Sequence, residues 1–292
     1  MRGIHLETVL TRSKGKSSTI GDGLPLAVIG EKINPTGKES LSKELLEGEF
    51  SKVREYAVSQ QKAGAHIIDV NVGAAGIDEI EILPEAVQIV MEAVDIPLSI
   101  DSANPEAIEA ALKIYEGKAI INSVTGEKKS LEAVLPIAKK YNAAVIGLTF
   151  DENGPVNDAP TRVEIAKDIL GKAQEFGIPQ EDVVIDCLVR PVCVEANAAM
   201  VTLQTIRLVS QELRLNTVLG ISNVSFGLPD RKNLNAAFLA MAVAEGLTCA
   251  IVDPTATEVK KTILAVDLLS GNDAFASKWI ESYRMNKSLK NT

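Results

Sequence analysis

The chain alternates between short apolar runs and longer amphipathic stretches. The apolar runs are rich in β-branched residues, and continuous apolar strands of this kind are typical of a parallel sheet that helices cover on both faces. There are eight runs: LAVIG from residue 26, HIIDVNV from 66, PLSI from 97, KAIIN from 118, AAVIGLT from 143, DVVID from 182, TVLGIS from 217 and CAIVD from 249. The pattern therefore predicts eight parallel strands.

The stretches between the runs have the spacing of amphipathic helices, as in PEAIEAALKIYEG and TRVEIAKDILGKAQEFG. Eight strand–helix units predict an α/β protein whose residues 26–292 form one (β/α)8 TIM barrel. Residues 1–25 lack a strong period, and we expect a short N-terminal arm or hairpin on the N-terminal side of the barrel. An open doubly wound sheet is the alternative, but GEKINPTG after the first run lacks the Gly-x-Gly-x-x-Gly dinucleotide signature.

Charge and hydropathy restrict the partners and the location. The 292 residues carry a net charge of −9 with a pI near 5.0, which disfavours nucleic acid and anionic membranes as partners. No apolar run reaches the ~18 residues of a membrane span, and the N-terminus lacks the apolar centre of a signal peptide. We expect a cytoplasmic protein with no membrane partner.

Cysteine and histidine are too sparse for a metal or disulfide framework. The three cysteines, Cys187, Cys193 and Cys249, are widely spaced, and the chain has two histidines. No Cys-x-x-Cys zinc pattern is present, so we expect no zinc or iron site. His66 precedes its apolar run and is therefore expected to be structural.

Polar residues recur where the predicted strands end. In a barrel these ends build the active site. Carboxylates accept hydrogen bonds and amides both donate and accept, so together they suit a flat heterocycle that bears N–H, NH2 and C=O groups. The residues at these ends are Glu31, Asn34, Asp69, Asn71, Asp101, Asn122, Thr149, Asp151, Asp186 and Asn223.

Two other interpretations of these residues are open. Asp and Asn often cap helices and occupy turns, so Asp101, Ser102 or Asn104 could cap the helix that begins near Pro105. A Mg²⁺ site formed by Asp69, Asp101 and Asp186 is also conceivable, because that ion prefers oxygen ligands.

The motifs resemble those of a known superfamily. GEKINPTG, GAHIIDVNVG, PLSIDSANPEAIEAAL, INSVTGEK, VIGLT, VIDCLVRP and GISNVSFGLPDR occur in the order found in pterin-binding methyltransferases. More narrowly, they are similar to methyltetrahydrofolate:corrinoid protein methyltransferases and to the folate-binding module of cobalamin-dependent methionine synthase. The similarity runs from about residue 26 to about residue 270.

The resemblance implies roles for particular residues. Asp101, Asn122 and Asp186 match the residues that bind the edge of the pterin ring, and Asn223 matches the asparagine near folate nitrogen-5. Arg231 matches an arginine of the same loop, whereas Phe226 stands where some members carry glutamine. Asn223 and Asp186 are the expected catalytic residues. Further substrate contacts are predicted at Glu31, Asn34, Asp69, Asn71 and Ser225.

The activity that the resemblance implies is methyl transfer between nitrogen-5 of tetrahydrofolate and the cobalt of a corrinoid. The chain has no Asp-x-His-x-x-Gly cobalamin motif, so the corrinoid is expected on a separate partner protein. The family implies a homodimer. The direction of transfer is open, although the N-terminal segment and the SFGLP loop favour methyl transfer onto tetrahydrofolate. The alternatives are a dihydropteroate synthase and a non-catalytic folate-binding subunit.

Overall fold

Eight parallel strands close into a barrel. The computed structural model describes residues 6–290, apart from the side chains at 286 and 288–290. Its strands are β1 Glu7–Arg12, β2 Ser17–Gly21, β3 Ala27–Ile33, β4 Ile67–Asn71, β5 Leu98–Asp101, β6 Gly117–Lys118, β7 Ile120–Thr125, β8 Ala144–Leu148, β9 Val183–Asp186, β10 Asn216–Gly220 and β11 Cys249–Val252. The barrel order is β3-β4-β5-β7-β8-β9-β10-β11, and Cys249 lies opposite Ala27 where the ring closes. This closure confirms the TIM barrel and excludes the open sheet.

Helices surround the strands. They are α1 Glu39–Leu46, α2 Ser51–Ala63, α3 Glu79–Ala93, α4 Pro105–Ile114, α5 Lys128–Lys140, α6 Ala159–Glu175, α7 Ala198–Leu208, α8 Arg231–Ala244, α9 Thr257–Leu269 and α10 Ser277–Lys290. Alternate strand residues point outward to the helices or inward to the barrel axis. The inward set includes Ile29, Ile67, Ile146 and Val218, all fully buried.

The N-terminal hairpin closes one end of the barrel. Strands β1 and β2 pair antiparallel, and Leu10 and Ile20 contribute to the apolar cluster inside the barrel. Ser18 Oγ donates to the His66 carbonyl at 2.6 Å, just before β4 begins. The predicted position of the arm on the N-terminal side is thus confirmed for residues 6–25, and the opposite, C-terminal end of the barrel is the open mouth.

His66 also has the structural contact expected of it. Its Nδ1 accepts a hydrogen bond from the Val28 backbone N–H at 3.0 Å, which joins two neighbouring strands at the hairpin end. The ring therefore lies at the opposite end of the strands from the mouth. Within residues 6–290, no helix has the combination of length and apolar character that crossing a bilayer requires.

Candidate functional site

The polar ends of neighbouring strands lie level with one another at the mouth. Asn71 pairs with Asp101 in the β4–β5 register, and Asp101 pairs with Asn122 in the β5–β7 register. Across the barrel, Asp186 is level with Leu148 of β8 and Val218 of β10. Parallel strands bring their carboxyl ends to one edge, so residues far apart in sequence converge on one surface.

Asp101 does not cap the helix that follows it. That position belongs to Asn104, whose Oδ1 accepts from the Glu106 backbone N–H at 3.0 Å, with Pro105 in the first turn of α4. Ser102 Oγ instead donates to Glu79 Oε2 at 2.5 Å. The Asp101 carboxyl group is therefore free of the capping role that its sequence context allowed.

Asp69 and Asp101 form a carboxyl pair inside the mouth. Asp69 is 2% exposed, and Asn122 Nδ2 donates to its Oδ1 at 3.2 Å. Burial raises the pKa of Asp69 to about 6. Burial and the charge of Asp69 raise the pKa of Asp101 well above its usual range, because two close carboxylates resist double ionisation. The pair retains a proton more readily than two isolated carboxyl groups would.

Asp186 ends β9 and is held by its own loop. Its Oδ1 accepts from the Leu188 backbone N–H at 2.8 Å, and burial raises its pKa to about 6. Below the loop, fully buried Arg162 donates to the carbonyls of Cys187 at 3.0 Å and Leu188 at 2.6 Å. Among the residues that the structure describes, none donates a hydrogen bond to Asp186 Oδ2, so this oxygen is open to a ligand.

A cavity of about 510 Å³ lies beside Asp101 and Asn122, and neither Asp69 nor Asp186 is among the residues that line it. Its wall combines polar strand ends with apolar side chains, an arrangement typical of sites for small cyclic ligands. The residues that face it include Asp101, Ser102, Asn122, Thr125, Leu148 and Phe150.

Glu31 lies on the other side of the mouth, at the end of β3. Ser222 Oγ donates to Glu31 Oε2 at 3.2 Å. Burial raises the pKa of Glu31 to about 7, and the charge of Asp253 adds to this, while Ser222, Lys38 and Arg231 act in the opposite direction. A carboxyl group with this pKa can both release and accept a proton near neutral pH.

The 220–231 loop exposes Asn223 and anchors its neighbours. A short 3-10 turn, Ile221–Ser225, follows β10. Ser225 is fully buried and donates to Asn235 Oδ1 at 2.6 Å. Arg231 Nε donates to Ser225 Oγ at 3.1 Å, and its guanidinium lies 5.5 Å from the centre of the Phe226 ring. Arg231 and Ser225 therefore maintain the shape of the loop.

Asn223 itself is exposed and lies against the start of the turn. A Cβ atom added at Gly220 would lie only 3.0 Å from Asn223 Nδ2. Glycine at this position gives the amide room to approach the backbone, so the orientation of Asn223 depends on it.

Two of the residues predicted to contact the substrate accept hydrogen bonds that stabilise turns. Asn34 Oδ1 accepts from the Thr36 backbone N–H at 2.9 Å, and Asn71 Oδ1 accepts from the Gly73 N–H at 2.8 Å. Asn71 also forms a hydrogen bond with Asp101 and so remains at the carboxyl group pair. Asn34 is engaged outside that cluster.

Sequence reasoning missed Asp253, Ser222 and Lys38. Asp253 directly follows β11, and its position after the last apolar run was the signal that could have identified it. The convergence of Ser222 and Lys38 on Glu31 depends on loop geometry and left no pattern in the sequence. Among residues 6–290, no three His, Cys, Asp or Glu side chains are grouped closely enough to hold a metal ion.

A family model described as pterin binding enzyme matches residues 30–253. The chain belongs to the pterin-binding enzyme family. The matched segment spans the barrel from its first to its last strand and includes Asp101, Asn122, Asp186 and Asn223. The resemblance predicted from the motifs is thereby confirmed.

Curated relatives extend this similarity. A methylcorrinoid:tetrahydrofolate methyltransferase from Eubacterium limosum is 31% identical over 270 residues, which cover 90% of this chain and 97% of that protein. A methionine synthase from Mycobacterium tuberculosis is 28% identical over 238 residues, covering 77% of this chain but 20% of that much longer protein.

A solved structure shows the same fold at low sequence identity. A DHPS from Yersinia pestis, bound to a pterine-sulfa conjugate, superposes with a TM-score of 0.68 at 16% identity. The alignment covers 92% of this chain and 99% of the DHPS chain. At this identity the likeness extends to the fold alone.

Proposed function

We propose that the protein transfers a methyl group between the corrinoid of a separate protein and nitrogen-5 of tetrahydrofolate. The observation that carries the proposal is the convergence of Asp101, Asn122 and Asp186 at the mouth that also exposes Asn223. The similarity to the Eubacterium limosum methyltransferase over 97% of its length supports the same activity. The corrinoid partner and the folate are both substrates in this proposal.

The carboxyl groups suit the edge of a pterin. That edge presents N–H and NH2 donors, which match the acceptor oxygens of Asp186 and the Asp69–Asp101 pair. The amide of Asn122 both donates and accepts beside them. Because these groups are buried, each unpaired donor or acceptor would be costly, and a ligand lacking the complementary edge is rejected.

Transfer onto tetrahydrofolate needs a group that removes a proton. The nitrogen-5 lone pair forms the new bond to the methyl carbon, the cobalt–carbon bond breaks, and its electron pair stays with the corrinoid. Nitrogen-5 then carries a positive charge until its proton leaves. In this proposal the amide oxygen of Asn223 stabilises that charge, and Glu31, through Ser222, accepts the proton.

We propose transfer from the corrinoid to tetrahydrofolate as the physiological direction. The name of the Eubacterium limosum relative states this direction. Deletion of the gene should then accumulate the methylated corrinoid protein and deplete 5-methyltetrahydrofolate. Accumulation of 5-methyltetrahydrofolate instead would indicate that the methyl group moves from the folate to the corrinoid. The homodimer, the cytoplasmic location and the boundary at residue 25 stay predictions.

Replacing Glu31 by glutamine should change how stability depends on pH. The pKa of Glu31 rises from its usual 4.5 to about 7 in the folded chain. The folded state therefore binds more protons than the unfolded state between these values, and this group makes stability fall as pH rises through that window. Glu31→Gln cannot ionise, so at pH 8 it should be more stable by about 1–3 kcal/mol.

Urea unfolding of both proteins at pH 5 and pH 8 measures this effect. A pH slope in Glu31→Gln equal to that of the wild type would contradict the assignment. Methyl transfer should also slow in the variant and lose its dependence on pH near neutrality, because the proton acceptor is absent.

The proposal is tested by mixing the pure protein with methylcobalamin and tetrahydrofolate without oxygen. The visible spectrum should change from that of methylcobalamin to that of cob(I)alamin, and 5-methyltetrahydrofolate should form. A parallel sample with p-aminobenzoate and a pterin pyrophosphate tests the dihydropteroate synthase alternative. Dihydropteroate in that sample, with no spectral change in the first, would replace the proposed function.

A further inference from the structure

A fully buried arginine connects the two loops that lie beside Asp186. Arg162 belongs to α6 and is 0% exposed. Its Nε donates to the Val156 carbonyl at 2.8 Å, in the loop after β8. Its Nη1 donates to the carbonyls of Cys187 at 3.0 Å and Leu188 at 2.6 Å, in the loop after β9. One planar side-chain group therefore holds both loops.

The hydrogen-bond partners of Arg162 indicate why a charge is buried here. A buried guanidinium is costly unless it is paired and fully hydrogen-bonded. The printed partners of Arg162 are backbone carbonyls and, at 3.4 Å, Thr202 Oγ1, while its Nη2 has no hydrogen-bond partner among the residues that the structure describes. Since an apolar side chain could fill the same space without this cost, the arginine is better explained by the loop that it holds.

The loop needs support at Leu188. The φ angle of this residue is 51°, in the left-handed region that residues with a side chain rarely adopt. Its carbonyl accepts from Arg162 Nη1 at 2.6 Å and from Thr202 Oγ1 at 2.8 Å. Its N–H donates to Asp186 Oδ1 at 2.8 Å. The two donors therefore stabilise a backbone conformation that turns the N–H of Leu188 towards the carboxyl group.

We propose that Arg162 is a positioning residue for folate binding and that it acts by orienting the carboxyl group of Asp186. The inference rests on the proposed function, in which Asp186 Oδ2 accepts from the pterin edge. Because Leu188 engages Oδ1, rotation of the carboxyl group is restricted and Oδ2 stays available to the ligand. Burial raises the pKa of Asp186, whereas the Leu188 N–H and the charge of Arg162 lower it, so the same contacts favour the ionised acceptor.

Arg162→Lys should weaken tetrahydrofolate binding by about 10-fold. Lysine can keep the positive charge, but its single ammonium group does not replace the planar fork that reaches both loops. In the Asp186→Asn background the same substitution should change the dissociation constant by less than about twofold, because the group through which Arg162 acts is already lost. A role in stability alone would lower affinity by the same factor in both backgrounds.

A milder pair of variants tests the same inference even if Arg162→Lys does not fold. Thr202→Val removes the second donor to the Leu188 carbonyl and should weaken tetrahydrofolate binding by about threefold. The matched control is Thr205→Val. Thr205 is also fully buried on α7, but its Oγ1 donates to the Val201 carbonyl at 2.8 Å within the helix. This variant should keep the wild-type affinity.

Titration calorimetry with tetrahydrofolate on the full chain measures each dissociation constant, and urea unfolding confirms that each variant is folded. Wild-type affinity in Thr202→Val, or equal losses from Arg162→Lys in the two backgrounds, would overturn the positioning role and leave the proposed function intact. A loss in Thr205→Val as large as that in Thr202→Val would also overturn it. Failure of the wild-type protein to bind tetrahydrofolate would remove both proposals.

Discussion

Asp186→Asn is expected to weaken tetrahydrofolate binding by about 100-fold at pH 8. The carboxyl group has a pKa of about 6, so it is ionised at that pH. Its Oδ1 is engaged by the Leu188 N–H, and its Oδ2 is open to the donors of the pterin edge. Replacing that oxygen by NH2 turns a charge-assisted hydrogen bond into a contact between two donors, at a cost of about 3 kcal/mol.

A second aspartate on the same segment provides a control that distinguishes a loss of folate binding from a loss of stability. Asp182, just before β9, pairs with Lys118 Nζ at 2.5 Å at the hairpin end of the barrel. Asp182→Asn should lower the free energy of unfolding without changing folate affinity. Asp186→Asn should lower folate affinity without lowering the free energy of unfolding. Titration calorimetry and urea unfolding of both variants provide the comparison, and a dissociation constant within threefold of wild type for Asp186→Asn would contradict its role.

Asn223→Ala should lower kcat for methyl transfer by about 100-fold. In the proposed mechanism the amide oxygen stabilises positive charge that develops on nitrogen-5, and loss of one such preorganised group costs about 3 kcal/mol in the transition state. Folate affinity should fall by a smaller factor, because the pterin edge contacts remain. Asn223 is exposed, so stability should change by less than about 0.5 kcal/mol.

The control for Asn223 is Asn233→Ala. Asn233 is exposed on α8 and donates to Asp230 Oδ2 at 2.8 Å, in the same segment but outside the proposed ligand contacts. Steady-state kinetics should give wild-type values for this variant. If Asn223→Ala also retained wild-type kcat and KM, the assignment of nitrogen-5 to this loop would be wrong.

The fold could be predicted because its signals are local. Each barrel strand is a short apolar run, and each is followed by a helical stretch, so the number of strands and their parallel arrangement follow from the sequence. The position of the hairpin was also expected from the lack of helical periodicity in the first residues. Leu10 and Ile20 of the hairpin pack into the end of the barrel. They lie among alternating apolar and polar residues that do not single them out, so only the structure identifies them.

The site was predicted as a set of polar residues at strand ends, but the contacts that the loop residues make with them were not predicted. Register places Asp101 beside Asn122, which the strand pattern implies. In contrast, the burial that raises the pKa of Glu31 and the anchoring of Arg231 by Ser225 arise from loops that meet in space. Asp253 directly follows the last apolar run, but its proximity to Glu31 depends on contacts between distant segments and could not be predicted.

The most direct test of the central claim is single-turnover transfer from methylcobalamin that carries a carbon-13 methyl group. With excess wild-type protein and tetrahydrofolate, nuclear magnetic resonance should show the labelled methyl group on nitrogen-5 of the folate, in step with the appearance of cob(I)alamin. Asp186→Asn at the same concentrations should give a small fraction of that signal. Absence of labelled methyl on the folate with the wild-type protein, or equal transfer by Asp186→Asn, would contradict the account.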